Sequence, residues 1–124
     1  MTLLVMKSWL LLLYFDLVMR FRPFRSLHRT VSNYRLRPQH SEPKSPAVLC
    51  HAVDIACVLY FKQVLCLQRS AATSLLLRSS GWNASMVIGV QIVPPAFHAW
   101  VEVGNCVVND KPYVRTMYQP MESC

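Results

Sequence analysis

Three residues of the chain carry the side chains that a cysteine protease uses. Such an enzyme needs a thiolate nucleophile, a base that makes and holds the thiolate, and a third group that orients the base. Cys66 supplies a thiol, His98 an imidazole and Asp110 a carboxylate. We therefore interpret Cys66, His98 and Asp110 as a candidate catalytic triad, in which Asp110 fixes the tautomer of His98 and stabilises its imidazolium form.

The hydrophobic pattern predicts the elements that position these residues. Apolar residues recur at helical spacing after Cys66, and Gly81 stands where a helix would end, so a helix is predicted to begin near Cys66. The N-terminus of a helix favours an anion, which suits both a thiolate and an oxyanion. Three predicted strands follow, at residues 86–92, 97–103 and 106–109. The predicted core is α+β, with the Cys-bearing helix packed on a small antiparallel sheet.

Each residue also has a purely structural interpretation. A Cys before a leucine-rich helix is usually a core residue, a His in an apolar strand is usually structural, and an Asp after a strand usually forms a turn. The order of Cys on a helix, His on a strand and Asp at the end of the next strand favours the catalytic interpretation. Gln63, shortly before the Cys, is either an oxyanion donor or a surface amide.

Four short strings stand at or beside these residues: Cys-Leu-Gln-Arg-Ser at 66–70, Ile-Gly-Val at 88–90, His-Ala-Trp-Val-Glu at 98–102 and Val-Asn-Asp at 108–110. Together they resemble the lasso-peptide leader peptidases, transglutaminase-like cysteine proteases of the type that processes the microcin J25 precursor. The resemblance covers residues 50–124 well and the N-terminal segment loosely. It implies a transglutaminase-like or papain-like core and assigns the family's Cys, His and Asp to Cys66, His98 and Asp110.

The resemblance also implies a reaction and partners. The substrate would be a ribosomally made precursor peptide, and the cut would separate its leader from its core and free the amine that an ATP-dependent lasso cyclase then uses. A small leader-recognition protein would present the substrate in trans. Neither a cofactor nor a metal nor a nucleic acid is expected. The run Pro-Pro-Ala-Phe at 94–97 departs from the Pro-Phe-x-Ala pattern of relatives, so the local substrate pocket is expected to differ.

The N-terminal segment predicts a helical arm. Residues 2–20 are apolar nearly all round, which is typical of a buried helix, and Pro23 then restarts the pattern. The apolar run at 9–15 ends at Asp16 and is shorter than the ~20 residues that cross a bilayer, so no transmembrane segment is expected. One apolar stripe is predicted across the break, formed by Leu17, Phe21, Phe24, Leu27 and Val31.

Basic residues stand on the opposite face of this arm. The chain has 13 Lys and Arg against 6 Asp and Glu, a net charge of +7, which suits an acidic partner. The basic face is either simply solvated or a docking surface for the leader or its carrier, with Arg22, Arg25 and Arg29 as the candidate residues. Were Cys66 structural, the chain would instead be a non-catalytic interaction protein that docks an acidic partner or a membrane surface. An acyl transferase on the same core is a third interpretation.

Composition predicts the division of the chain. Its 124 residues fit one domain, which we divide into a helical arm (1–37), a linker (38–46) and a protease core (47–124). Ser45 is the predicted N-cap of the next helix, with Pro46 at its first position. Five Cys, an odd number without C-x-x-C spacing, predict neither a disulfide framework nor a zinc site, so we infer a reducing compartment, the cytosol. The resemblance to the lasso-peptide leader peptidases implies that this is a bacterial cytoplasm.

Overall fold

A computed structural model describes residues 2–36 and 44–124. Most of the predicted linker, residues 38–43, therefore lies outside the described residues, as does Arg37. In chain order the elements are α1 (Thr2–Phe21), α2 (Phe24–Asn33), α3 (Pro46–Leu59), α4 (Cys66–Ser79), β1 (Ala84–Gln91), β2 (Ala96–Val103), β3 (Cys106–Val107), α5 (Val114–Met117) and β4 (Gln119–Ser123).

Helix α4 is the central element of the described fold. Every residue from Ser70 to Arg78 is buried, because α1, α2 and α3 contact α4 on one side and strands β1 and β2 contact it on the other. The helix ends in a Schellman motif, in which Gly81 has φ +92° and the Trp82 N–H donates to the Leu77 carbonyl at 3.0 Å. The predicted start at Cys66 and the predicted end at Gly81 are thus confirmed.

Four antiparallel strands form one sheet in the order β3-β2-β1-β4. The two long strands lie within two residues of their predicted bounds, and Gly104, with φ +63°, makes the tight turn into β3. Along β2 the side chains alternate as predicted: Ala99 and Val101 join the cores beneath α4, whereas Trp100 faces the other way and packs with Val114. The mixed α+β class with a small antiparallel sheet is confirmed.

Two elements escaped prediction. Val114 of the short helix α5, and Tyr118 directly after that helix, pack on the face of the sheet that points away from α4, whereas strand β4 extends the sheet beside β1. Strand β4 gives no periodic signal, because it is largely exposed and contains Pro120, a residue that sheets tolerate mainly at their edges.

The N-terminal helices pack on the core. Leu12 and Phe15 of α1 and Leu27 and Val31 of α2 are fully buried in a cluster that also contains Met86 of the sheet. Asp16 anchors α1 further, since it accepts a hydrogen bond from the Tyr60 hydroxyl at 2.7 Å and pairs with Lys62 Nζ at 2.7 Å. Burial alone would raise the pKa of Asp16, but these two partners outweigh it and hold that pKa below its usual value.

Helix α1 also has a long exposed apolar face. It spans 20 residues and is long and apolar enough to cross a membrane by length and composition, a test that soluble core helices and signal sequences also pass. The prediction that the apolar segment is too short to cross a bilayer is therefore wrong, because the whole helix has the required length and composition. The predicted single stripe fails as well, because Pro23 separates the two helices and leaves three of its members half to largely exposed, namely Leu17, Phe21 and Phe24.

The predicted start of α3 agrees with the structure. The Ser45 side chain accepts a hydrogen bond from the Val48 N–H at 3.3 Å and Pro46 occupies the first position, so the predicted cap is confirmed. The boundaries of arm, linker and core remain predictions.

Candidate active site

Cys66 is the first residue of α4, and its side chain is exposed. The first N–H groups of a helix have no carbonyl partner within the helix, so they carry partial positive charge towards whatever stands at the N-terminus. Gln68, one turn into α4, is buried and satisfies part of this end: its Oε1 accepts from the Leu65 N–H at 3.4 Å, and its Nε2 donates to the Leu12 carbonyl of α1 at 2.8 Å. The position of Cys66 is therefore fixed by contacts that reach α1.

His98 and Asp110 are in direct contact. The imidazole Nε2 of His98 is hydrogen-bonded to Oδ2 of Asp110, and the other carboxylate oxygen accepts from the Lys111 N–H at 2.7 Å. Since a carboxylate only accepts hydrogen bonds, the proton of a neutral imidazole lies on Nε2. Nδ1 of His98 is then the nitrogen that is free to act as a base.

The charge state of Asp110 suits an orienting role. Partial burial alone would raise the pKa of this carboxyl group, but the hydrogen bonds from His98 and from the Lys111 N–H, helped by the charges of His98 and Arg69, hold its pKa below the usual value. Asp110 is therefore ionised at neutral pH and accepts the hydrogen bond of His98 as a carboxylate.

One cavity brings Cys66 and His98 to a common surface. It has a volume of about 350 Å³ and opens between the start of α4, strands β1 and β2, the start of α2 and strand β4. The nine residues that line it are Phe24, Cys66, Leu67, Ile88, Phe97, His98, Ala99, Met121 and Glu122. A thiol at a helix N-terminus and an imidazole held by a carboxylate thus border the same solvent-accessible space.

Asn109 is a supporting residue that sequence reasoning missed. It is buried, its Oδ1 accepts from the Val101 N–H of β2 at 2.7 Å, and its Nδ2 donates to Ser70 Oγ of α4 at 3.3 Å. Strand β3 itself is only two residues long. The Val108 N–H still donates to the Val101 carbonyl at 2.9 Å, so this bond and the side chain of Asn109 continue the pairing with β2 and fix the chain where Asp110 follows. The Val-Asn-Asp string contained this residue but gave no sign of its role.

The imidazole also rests on aromatic rings. His98 stacks on Tyr118 with ring centroids 5.2 Å apart, and on Trp100 at 6.2 Å. Gly89 lies opposite His98 in β1, and a Cβ there would approach the Trp100 ring to 2.7 Å, so only glycine allows this packing. Tyr118 comes from the unpredicted segment before β4, and no pattern in the sequence pointed to it.

The remaining predicted residues lie elsewhere. Gln63 is exposed in the loop before α4 and lines another cavity, with Asp16 and Lys62, rather than the one that Cys66 and His98 share. Its role as an oxyanion donor stays a prediction. Arg22 and Arg29 line a groove between α1 and α2 beside the apolar Leu17 and Phe21, and Arg25 is exposed nearby. Within residues 2–36 and 44–124 no group of three or more His, Cys, Asp or Glu is arranged to hold a metal ion.

Comparison with known proteins gives the family. The profile of the transglutaminase-like superfamily matches residues 9–123, which include Cys66, His98 and Asp110. The chain belongs to the transglutaminase-like superfamily. The match also includes most of α1 and all of α2, so it extends over the predicted arm as well as the predicted core.

One curated relative is similar to a part of this chain. The chain is 46% identical over 50 residues to the microcin J25-processing protein McjB of Escherichia coli. That stretch is 40% of this chain and 24% of the relative, so the match spans about a quarter of the relative's length. No solved structure matches the chain.

Proposed function

We propose that this transglutaminase-like chain is a cysteine endopeptidase that removes the leader from a ribosomally made lasso-peptide precursor. The observation that carries this proposal is the cavity that is lined both by Cys66, at the start of α4, and by His98, whose Nε2 is hydrogen-bonded to Asp110. The 46% identity to a microcin J25-processing protein over 50 residues supports the choice of substrate class.

The reaction would have two steps. In the first, Nδ1 of His98 takes the Cys66 proton, the thiolate attacks the carbonyl of the last leader residue, and His98 returns the proton to the leaving amine of the core peptide. In the second, His98 takes a proton from the water that attacks the thioester, the tetrahedral intermediate expels the Cys66 thiolate, and His98 returns the proton to that sulfur. The carboxylic acid of the released leader loses its own proton to solvent. Asp110 stays ionised throughout and balances the imidazolium charge.

The oxyanion of each tetrahedral intermediate would be bound by the N–H groups at the start of α4. These groups carry partial positive charge and stand beside Cys66, which is what stabilisation of developing negative charge requires. Gln63 remains a second candidate donor, and it would have to move from its present cavity to reach the oxyanion.

The partners proposed for this reaction are the precursor peptide, a small leader-recognition protein and, after cleavage, the ATP-dependent lasso cyclase. We propose the bacterial cytoplasm as the compartment, in keeping with five free thiols, of which Cys66 and Cys106 are exposed.

Precursor cleavage tests the proposal. The full chain, mixed with precursor and recognition protein, should release a leader and a core peptide that mass spectrometry identifies. Cys66→Ala and His98→Ala should each abolish the products while leaving the circular-dichroism spectrum unchanged, and Asp110→Ala should retain some activity. Wild-type cleavage by a folded Cys66→Ala protein would overturn the assignment. Transfer of the leader to an added primary amine instead of water would favour the acyl-transferase interpretation.

A docking function is the second proposal, and the groove between α1 and α2 favours it. Arg22 and Arg29 border this groove of about 490 Å³ together with apolar side chains, so it fits a segment that carries both acidic and apolar residues, such as a leader or its carrier. The Arg22→Glu, Arg29→Glu double variant should lose stimulation by the recognition protein, and salt should weaken that stimulation in the wild type. The matched control reverses Arg35 and Lys44, which are exposed outside the groove.

Two results would contradict the docking proposal. One is equal stimulation of the double variant and its control. The other is association of the chain with membranes that resists carbonate, which would assign the exposed face of α1 to lipid.

A further inference from the structure

The cavity beside Cys66 has walls that are almost entirely apolar. Only the candidate nucleophile and base and Glu122 interrupt a lining of aromatic, aliphatic and thioether side chains. At about 350 Å³ the space lies at the small end of ligand pockets, so it has room for a large side chain but not for a folded segment. Whatever reacts with Cys66 must therefore place its neighbouring group against apolar walls.

We propose that this cavity is the specificity pocket of the enzyme and that it takes a large apolar side chain, aliphatic or aromatic, from a residue next to the scissile bond. This inference rests on the proposed function, since it names the substrate residue that the candidate thiol would cut beside. Leu67, the residue after the nucleophile, and Ile88 and Ala99 of the sheet form the inner wall, and all three are partly or fully buried.

The outer wall comes from the start of α2, from β4 and from the residue before His98 in β2. Phe24 is 50% exposed at the start of α2, Phe97 is 71% exposed beside His98, and Met121 is 56% exposed on β4. Large apolar side chains at this exposure gain from a ligand that covers them. The arm and the edge strand would thus complete the binding site, so that α2 helps to select the substrate.

Charge at the rim supports an apolar occupant over an acidic one. Glu122 lines the cavity and is paired with His28 of α2, with Nε2 and Oε2 3.5 Å apart, so it ties β4 to α2 beside the opening. A carboxylate entering the cavity would lose its hydration among apolar walls and meet this negative charge. A large apolar side chain has neither cost.

Alkylation of Cys66 measures the preference of the pocket for an apolar group and does not require the substrate sequence. Iodoacetamide and N-benzyl-iodoacetamide share one reactive group and differ by an aromatic ring, and peptide mapping by mass spectrometry reads each Cys of the full chain separately. Cys106, exposed on β3 and absent from the cavity lining, is the internal reference. For each Cys we compare the rate of labelling by N-benzyl-iodoacetamide with the rate of labelling by iodoacetamide. Because the ring is buried in the pocket, this ratio should be roughly ten- to a hundredfold higher at Cys66 than at Cys106.

Matched variants complete the test. Phe24→Ala and Phe97→Ala remove one wall each and should lower the preference at Cys66 by at least threefold, whereas Phe21→Ala, exposed outside the cavity, should not change it. Equal ratios at Cys66 and Cys106, or no labelling of Cys66 by either reagent, would overturn the pocket. A chain that cleaves the precursor but shows no benzyl preference at Cys66 would contradict the pocket proposal and leave the proposed function standing. A chain that shows the benzyl preference at Cys66 but cleaves no precursor would contradict the proposed function and leave the pocket proposal standing.

Discussion

Loss of the Asn109 side chain should weaken both the fold and catalysis, and the two effects can be separated. In Asn109→Ala the Val101 N–H of a buried strand loses its 2.7 Å acceptor, and Ser70 Oγ loses a donor at 3.3 Å. A buried donor without an acceptor costs about 1–3 kcal/mol, and the longer bond adds less. We expect a loss of about 2 kcal/mol in the free energy of unfolding, or roughly 6–10 °C in Tm for a chain of this size.

The catalytic effect should exceed what the lost stability explains. Asp110 follows Asn109 directly, so a freed segment moves the carboxylate away from His98 Nε2. Well below Tm, we expect kcat for precursor cleavage to fall roughly 10- to 100-fold while KM changes little. Differential scanning calorimetry and single-turnover cleavage measure the two effects. Asn105→Ala, in the exposed turn of the same hairpin, is the control. An Asn109→Ala protein with lower Tm but wild-type kcat would refute the positioning argument, and unchanged Tm would refute the energetic one.

Three further predictions concern packing and pH. Gly89→Ala should cost about 1–3 kcal/mol in urea denaturation and alter the near-ultraviolet dichroism of Trp100, because the added Cβ lies 2.7 Å from its ring; an unchanged spectrum would contradict this. Arg78→Lys should cost about 2–3 kcal/mol, since buried Arg78 donates to three backbone carbonyls in α2, the segment after it and β1, whereas a milder Ser79→Ala effect serves as the control. The pKa of Asp16 is lower in the folded than in the unfolded protein, so its carboxylate stabilises the fold above the unfolded-state pKa, and this stability is lost as pH falls through the folded-state pKa. Asp16→Asn should therefore reduce the slope of the free energy of unfolding against pH on the acid side, and equal slopes for variant and wild type would contradict this.

Local signals were sufficient for much of the fold. Helix α4 and strands β1 and β2 lie where the sequence predicted them, because a Cys-led apolar helix, a glycine C-cap and alternating strands are encoded within each segment. The Ser45 cap is equally local. The sequence order of Cys66, His98 and Asp110 could be interpreted for the same reason, since each residue stands at the end of, or within, an element that has its own pattern.

The features that the sequence did not predict depend on contacts between distant segments. Strand β4 exists because β1 offers it a partner, and its exposed, Pro-containing sequence gives no strand signal of its own. Likewise, Leu59 stands at helical spacing from Ala52, Ile55 and Ala56, a pattern that predicts one buried face of α3, but it is 64% exposed. The support of the site by Asn109 and Tyr118 arises only after β2, α4 and the C-terminal segment pack together, which no periodicity can show.

Trapping the thioester tests the central claim most directly. The full chain is mixed with precursor and recognition protein, quenched in acid during the first turnover, and digested for mass spectrometry. The account predicts that the intact chain gains the mass of the leader before digestion, that the digest assigns the adduct to the peptide containing Cys66, and that the adduct is absent from Cys66→Ala and His98→Ala. Release of leader and core peptide with no adduct at Cys66, in a chain whose Cys66→Ala variant still cleaves, would contradict it.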